Sequence, residues 1–379
     1  MYMKKANYKS EMTKRDFFAF LKNSKQFSDD SIHAYEKALL YWEDFTKADD
    51  FSSFDDKQAV AFRDWLKGKK RIGSENTISL SYCYDILRHL RKFFEWLSQQ
   101  PKSKINITHI VALNLSRKES QIATRVRKVG TPTFEEVLKV LENIEGKTEV
   151  EKRDRALIAF TLLTGARISA IASLRMKSFD KRRLILEQDP ESGVKTKFSK
   201  QITTALFPLP NGKPLAFFLE WFDYLEKERK FTPNQPLFPA TKLEQGKDSI
   251  SYYSTGIVEP VFWSSAGSAR KIFEKRFIEA DVPYFHPHTF RHLIVKEFIK
   301  ARLTEEEKKA ISQNLGHEDV GTTFGSYGYG KISTDRQVDI VKGIRLGHPE
   351  TEPIIGDMSD ASIKKLANVL KKALAEPEK

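Results

Sequence analysis

The segment FHPHTFRHLIV, residues 285–295, holds three of the chain's eight histidines and an arginine. His288 and His292 are four apart, so on a helix they would share a face and could hold a metal. The zinc-protease form of that spacing carries a Glu inside it as general base, whereas here the interior is Thr289, Phe290 and Arg291. A guanidinium is always charged and repels a dication held beside it. The single cysteine, Cys83, offers no thiolate cluster. These residue types fit an anionic substrate gripped by Arg291, with no metal and no cofactor.

Three further segments carry groups suited to an anion. In TGARISAIASL, Arg167 follows a helix-ending Gly165 and opens the next helix, where free backbone N–H groups favour negative charge. In KTKFSK, Lys195, Lys197 and Lys200 occupy the turn between two predicted strands, GVKTKF and QITTALFPL. In LGHEDVGTTFGSYGYG, His317 follows another helix-ending glycine, and Tyr327 and Tyr329 sit among Gly321, Gly325, Gly328 and Gly330.

The elements that must position these groups are mostly helical. The first hundred residues read as four amphipathic helices: TKRDFFAFLKNSK with a threonine cap, SDDSIHAYEKALLYWEDFTK, DKQAVAFRDWLKGKK and SENTISLSYCYDILRHLRKFFEWLSQQ. Residues 99–130 hold seven Lys and Arg against one acid and show little helical periodicity, which suggests a basic connector along a phosphate backbone. Thr133 and Glu136 form a capping box that opens a second domain near residue 131. Its helices are FEEVLKVLENIEG, VEKRDRALIAFTLLTG, KPLAFFLEWFDYLEKE, GSARKIFEKRFIEA, TFRHLIVKEFIKA and EEEKKAISQNLG, with RRLILEQ and the two segments around KTKFSK as a small antiparallel sheet. The expected division is therefore a helical domain at 1–98, a linker at 99–130, a second domain at 131–345 and a tail at 346–379. The tail ends in an amphipathic helix with Ile363, Leu366, Val369, Leu370 and Leu374 on one stripe. The fold class is mainly α with a small antiparallel β-sheet.

With 64 Lys and Arg against 51 Asp and Glu, the net charge is +13, which favours a polyanionic partner such as nucleic acid. No run of apolar residues is long enough to cross a membrane, and the N-terminus lacks the apolar stretch of a secretory signal. One cysteine forms no internal disulfide and fits a reducing cytoplasm.

Taken in order, TG-A-R-x-S, a lysine in a β-hairpin, H-x-x-R, LGH and a following tyrosine resemble the tyrosine recombinase, or phage integrase, family over about residues 10–345. The resemblance implies a SAM-like core-binding helical domain followed by an α+β catalytic domain, and a site-specific DNA recombinase. Arg167 and Arg291 would bind the scissile phosphate, and Tyr327 would form a 3′-phosphotyrosyl link. Lys195 or Lys197 would be the general acid, His288 a base or proton relay, and His317 a phosphate or tyrosine partner. The chemistry is self-consistent: two arginines can clamp both non-bridging oxygens and stabilise a pentacoordinate transition state. The phosphotyrosyl ester keeps the bond energy, so neither metal nor ATP is needed, and no Walker-type glycine loop is present.

Three departures stand out. Many members have the tyrosine nine residues after the LGH histidine, a place held here by Ser326, with Tyr327 and Tyr329 beyond it. Lys195 matches the usual KT pairing while Lys197 lies nearer the turn. Ala170 stands where an acid often follows the first arginine. Each residue alone has an ordinary structural reading, and the ordered set carries the inference. The implied partners are double-stranded DNA and three further copies of the chain in a tetramer on two DNA sites, with an accessory DNA-bending protein left open. The place of action would be the cytoplasm, on the nucleoid. A type IB topoisomerase-like nicking enzyme and a non-cleaving DNA-binding regulator are the alternatives.

Overall fold

Side-chain caps start most of the helices, and the order of elements follows from them. The computed structural model describes residues 7–71, 74–101, 103–125, 130–245, 252–301 and 303–329, with positions 338 and 342 beyond. The chain divides into two compact units, Met1–Lys128 and Val129–Lys379.

The first unit comprises α1 (Tyr8–Ala19), α2 (Asp29–Thr46), α3 (Asp56–Gly68), α4 (Leu80–Ser98) and α5 (Arg117–Thr124). Asn7, not the threonine expected from the sequence, caps α1, because its Oδ1 accepts from the backbone of Lys9 and Ser10. Thr13 lies inside the helix and donates instead to the Lys9 carbonyl at 2.9 Å. Aromatic rings fill the core: Phe54 stacks on Phe94 at 3.9 Å, and Trp42 lies 4.9 Å from Phe62. Each such ring contributes roughly 1.5–3 kcal/mol on burial.

The basic connector is corrected by the structure. Residues 107–113 form a 3₁₀ segment, and α5 is opened by a capping box between Ser116 and Glu119. Ile110, Leu113, Leu115 and Ala123 are buried in the same core as α3 and α4. Arg63 donates to the carbonyls of Ala112 and Asn114, both at 3.1 Å, so a charge of α3 fastens this stretch down. Four apolar anchors spaced irregularly bury a segment that has no helical period of its own.

The second unit comprises α6 (Phe134–Asn143), α7 (Glu149–Thr164), α8 (Ile168–Ile171), β1 (Phe179–Asp180), β2 (Ile185–Gln188), β3 (Ile202–Ala205), α9 (Lys213–Asp223), β4 (Ala240–Gln245), β5 (Tyr252–Glu259), α10 (Ala266–Glu279), α11 (Thr289–Lys300) and α12 (Glu305–Asn314), followed by a π-helical segment at Thr322–Tyr329. The Thr133–Glu136 capping box opens α6, and Thr148–Glu151 forms another at α7. Helix α7 is the axial element, with a continuous buried run from Ala156 to Thr164. Asp154 on it, 2% exposed, receives both Arg153 at 2.7 Å and Arg276 of α10 at 2.8 Å. A buried charge so paired ties α10 to α7 in one register.

Strands β1, β2 and β3 form an antiparallel sheet in that order, with Gln188 opposite Ile202 and Ile185 opposite Ala205. GVKTKF is not a strand. Positive φ at Gly193, Phe198 and Ser199 breaks the extension, so the lysines ride in a long connection between β2 and β3. The hairpin β4–β5 was not expected from the sequence. The side chains of β4 are half-buried or exposed along its length, which leaves no apolar alternation to read. It is held from α7, where Arg153 reaches Thr241 at 2.8 Å and Glu149 accepts from the Val258 backbone at 2.8 Å. The amphipathic stripe expected near the C-terminus lies outside the described residues, as does everything past Tyr329 except 338 and 342.

Candidate active site

The C-terminal end of α7 sets the floor of the site. Gly165 closes that helix at φ 57°, a left-handed conformation suited to glycine. A Cβ there would come within 2.9 Å of Leu315 and 3.1 Å of Ile294. The turn delivers Arg167 as the cap residue of α8, in extended backbone and partly exposed. The helix expected across ARISAIASLR is only this short turn, because its carbonyls are taken up at once by Ala172, Ser173 and Leu174. Ala170 is 1% exposed and packed in the main core. An acid there would have to be buried in that core, at a cost alanine avoids.

Arg291, on the first turn of α11, is 2% exposed. Its Nη1 donates to the Gly165 carbonyl at 2.6 Å, and its Nη2 donates to the Leu315 carbonyl at 2.6 Å. The same Nη2 lies 2.8 Å from His317 Nε2. A guanidinium has no acceptor, so Nε2 must accept and the imidazole proton must sit on Nδ1. That Nδ1 then donates to Thr323 Oγ1 at 2.8 Å, and Thr323 also accepts from Ser312 Oγ at 2.8 Å. The chain from guanidinium to hydroxyl is buried throughout, with His317 at 7% exposure.

His317 owes its place to the turn after α12. Gly316 adopts φ +71°, and a Cβ on it would fall 2.5 Å from Ile202 Cδ1 of β3. Asn314 fastens the two elements, with its Oδ1 accepting from Ala205 at 2.7 Å and its Nδ2 donating to the Ala205 carbonyl at 2.9 Å. Loss of solvation, then the charges of Arg291, Arg167, His288 and Lys197, push His317 down to about 4. A neutral imidazole is the form the hydrogen-bond pattern demands.

His288 stands at the cap position of α11, open to solvent as a residue. Protein crowding around its imidazole, with the charges of Arg291, His292, Arg167 and His286, pushes it down to about 4. It meets His292 edge-on at 5.9 Å. His286 takes a local part, accepting at Nδ1 from the His288 backbone at 3.2 Å and offering its carbonyl to Thr289 at 2.8 Å.

The lysine connection is pinned at its base. Ser173 Oγ accepts from the Lys195 backbone at 2.8 Å, and Arg175 donates to the Ser192 carbonyl at 2.7 Å. Both lysine side chains are exposed. Lys197 lies over the Phe198 ring at 4.8 Å, and its charge is among those that act on His317. Tyr327 falls within the Thr322–Tyr329 segment, with its side chain outside the described residues, as is that of Tyr329.

The structure thus brings Arg167, Lys197, His288, Arg291 and His317 into one electrostatic neighbourhood, from four separate stretches of chain. Thr323 and Ser312 were missed by reading the sequence. The adjacent threonines six residues after His317 were their one visible signal. Among the described residues no group of three or more His, Cys, Asp or Glu could hold a metal ion.

The chain is similar to tyrosine recombinase XerC of Lactobacillus delbrueckii subsp. bulgaricus, with 26% identity over 314 residues, 81% of this chain and 90% of that protein. Its fold is similar to that of a lambda integrase dimer bound to a COC′ core site, with TM-score 0.55 and 14% identity over 90% of this chain and 99% of the other. A lambda integrase tetramer bound to a Holliday junction gives TM-score 0.54 and 13% identity over 82% of this chain and 77% of that one. No described helix is long and apolar enough to cross a membrane. Residues 132–329, just over half of the 379, match the model of the phage integrase family, and the chain belongs to that family, the tyrosine recombinases, enzymes that break and rejoin DNA.

Proposed function

We propose that this recombinase cleaves and rejoins specific duplex DNA sites through a 3′-phosphotyrosyl intermediate on Tyr327. The observation that carries the reading is the buried guanidinium of Arg291, locked by two carbonyls and His317. A positive charge fixed before substrate arrives costs no reorganisation when the transition state forms. Arg167 adds a second cation from another segment, suited to the other non-bridging oxygen. The tyrosine oxygen attacks phosphorus, the Tyr O–P bond forms, and the bond to the 5′-oxygen breaks as that oxygen takes a proton.

Lys197, whose charge acts on His317, is the donor of that proton in this reading. His288, neutral at pH 7, can accept the tyrosine proton. Its low pKa reflects surrounding cations in part, so a bound phosphate raises it and improves it as a base. His317 acts in this reading through Arg291.

Double-stranded DNA is the partner, and the likeness to a tetramer on a Holliday junction supports assembly of four copies on two sites. The basic charge predicts binding that weakens steeply with salt. Action in the cytoplasm, on the nucleoid, follows from that partner.

The test is covalent trapping in EDTA. The protein is mixed with duplex DNA from the flanks of its gene, stopped with SDS, and the nucleotide-bearing peptide mapped by mass spectrometry. An adduct on Tyr327 is expected, and one on Tyr329 would move the nucleophile by two residues. Absence of any adduct on DNA that the protein binds site-specifically would overturn cleavage. A strand-transfer assay yielding relaxation but no recombinants would overturn exchange.

A further inference from the structure

The segment that carries the proposed nucleophile also carries Thr323, one helical turn before Tyr327. Thr323 is fully buried, as is Ser312, and the two hydroxyls lie 2.8 Å apart. His317 Nδ1 lies 2.8 Å from the same Thr323 oxygen. We infer that Thr323, braced by Ser312, is a positioning residue: docking of the tyrosine segment fixes His317 in the Nδ1–H tautomer and thereby completes the seat of Arg291. The inference rests on the proposed role of that segment.

The argument runs through the imidazole, whose two nitrogens have opposite duties. Nε2 must accept from the Arg291 guanidinium, so Nδ1 carries the proton and needs an acceptor. Ser312 Oγ donates to Thr323 and so braces that acceptor. With Thr323 withdrawn, the Nδ1–H loses this hydrogen bond in a buried site, and the tautomer that serves Arg291 is less favoured. The anion site would then be set only when the nucleophile's own segment is home.

The packing makes that segment separable from the core. Phe324, the residue after Thr323, is 6% exposed, yet it does not join the main hydrophobic core of this unit. It packs in a small satellite with Phe207, Ile294, Val295, Ile311 and Leu315. A segment held by one small cluster can leave without unfolding the unit.

The test compares full-length Thr323→Val and Thr323→Ser with wild type on a suicide duplex. Valine keeps the shape and removes the acceptor, while serine restores it. Thr323→Val is expected to slow covalent-complex formation roughly ten- to a hundredfold with DNA affinity near wild type, and Thr323→Ser to recover most of the rate. Nitrogen-15 NMR of the histidines supplies a readout that does not depend on cleavage. His317 should show the Nδ1–H form in wild type and Thr323→Ser, and lose it in Thr323→Val. If Thr323→Val melts early, Ser312→Ala provides the second perturbation, with a smaller loss in the same direction. A Thr323→Val protein that keeps both the Nδ1–H signal and the wild-type rate would overturn the inference. A wild type that forms no covalent complex would refute the proposed cleavage instead, leaving the NMR result to judge the tautomer.

Discussion

Gly316→Ala probes how the site is anchored to the sheet, and its size can be worked from geometry. The backbone there has φ +71°, so an alanine pays for a left-handed conformation at about 1–2 kcal/mol. Its Cβ would also lie 2.5 Å from Ile202 Cδ1, 3.0 Å from Cγ1 and 3.3 Å from Cγ2. Isoleucine is stiff at χ1, so rotating one branch away brings the other in. Overpacking of this kind adds about 1–3 kcal/mol. The total, about 2–5 kcal/mol, should lower the melting temperature of the second unit by roughly 4–20 °C. Ile202→Val deletes the nearest atom, at about 0.5–1.5 kcal/mol on its own. The double variant should therefore be less destabilised than the two singles added, by roughly 1–2 kcal/mol. Thermal melts of the four proteins, followed by near-ultraviolet dichroism, measure this cycle. Covalent-complex assays on the same samples report whether His317 has moved. Gly316→Ala melting within about 2 °C of wild type, or strictly additive singles, would refute the close approach of the turn to β3.

Arg291→Lys replaces a planar fork with a point charge that cannot satisfy Gly165, Leu315 and His317 together. Covalent-complex formation should fall by roughly a hundredfold or more, with full-chain DNA affinity changed less than about tenfold. A near-wild-type rate would show that the fork geometry is dispensable. Acid should weaken the second unit through its histidines. His288 and His317 are held near 4 in the fold against an ordinary 6.5, so the unfolded chain binds more protons between those values. Their stabilising contribution is complete above about pH 6.5 and is lost as pH falls through about 4. Melting temperature should drop across that window, and the drop should be shallower in His317→Asn. An identical pH profile for the two proteins would remove His317 from the account.

Several parts of this architecture are written in short-range chemistry. The capping boxes at Thr133–Glu136 and Thr148–Glu151 are local hydrogen-bond pairs, so three-residue spacing suffices to read them. Gly165 and Gly316 end their helices because a left-handed residue is needed at that one position. The ordered run from Arg167 to the tyrosines identified the family, since order along a chain survives without knowledge of the fold. Residues 107–124 show the opposite case. Their charge marked them as a connector, yet Ile110, Leu113, Leu115 and Ala123 are claimed by a core built from other helices. Hairpin β4–β5 is likewise specified by groups far away in sequence, Arg153 and Glu149, rather than by its own alternation.

The sequence by itself determined the helical character, many helix ends, the basic charge and the family. Only the tertiary structure decided that His317 bonds Arg291 and that Thr323 and Ser312 stand behind it. The physical reason is range. Caps, turns and periodicity depend on neighbours within a few residues, whereas a guanidinium held between Gly165 and Leu315 depends on two loops closing around α11. Such closure is paid in chain entropy and repaid by packing of the whole unit, so no short segment encodes it.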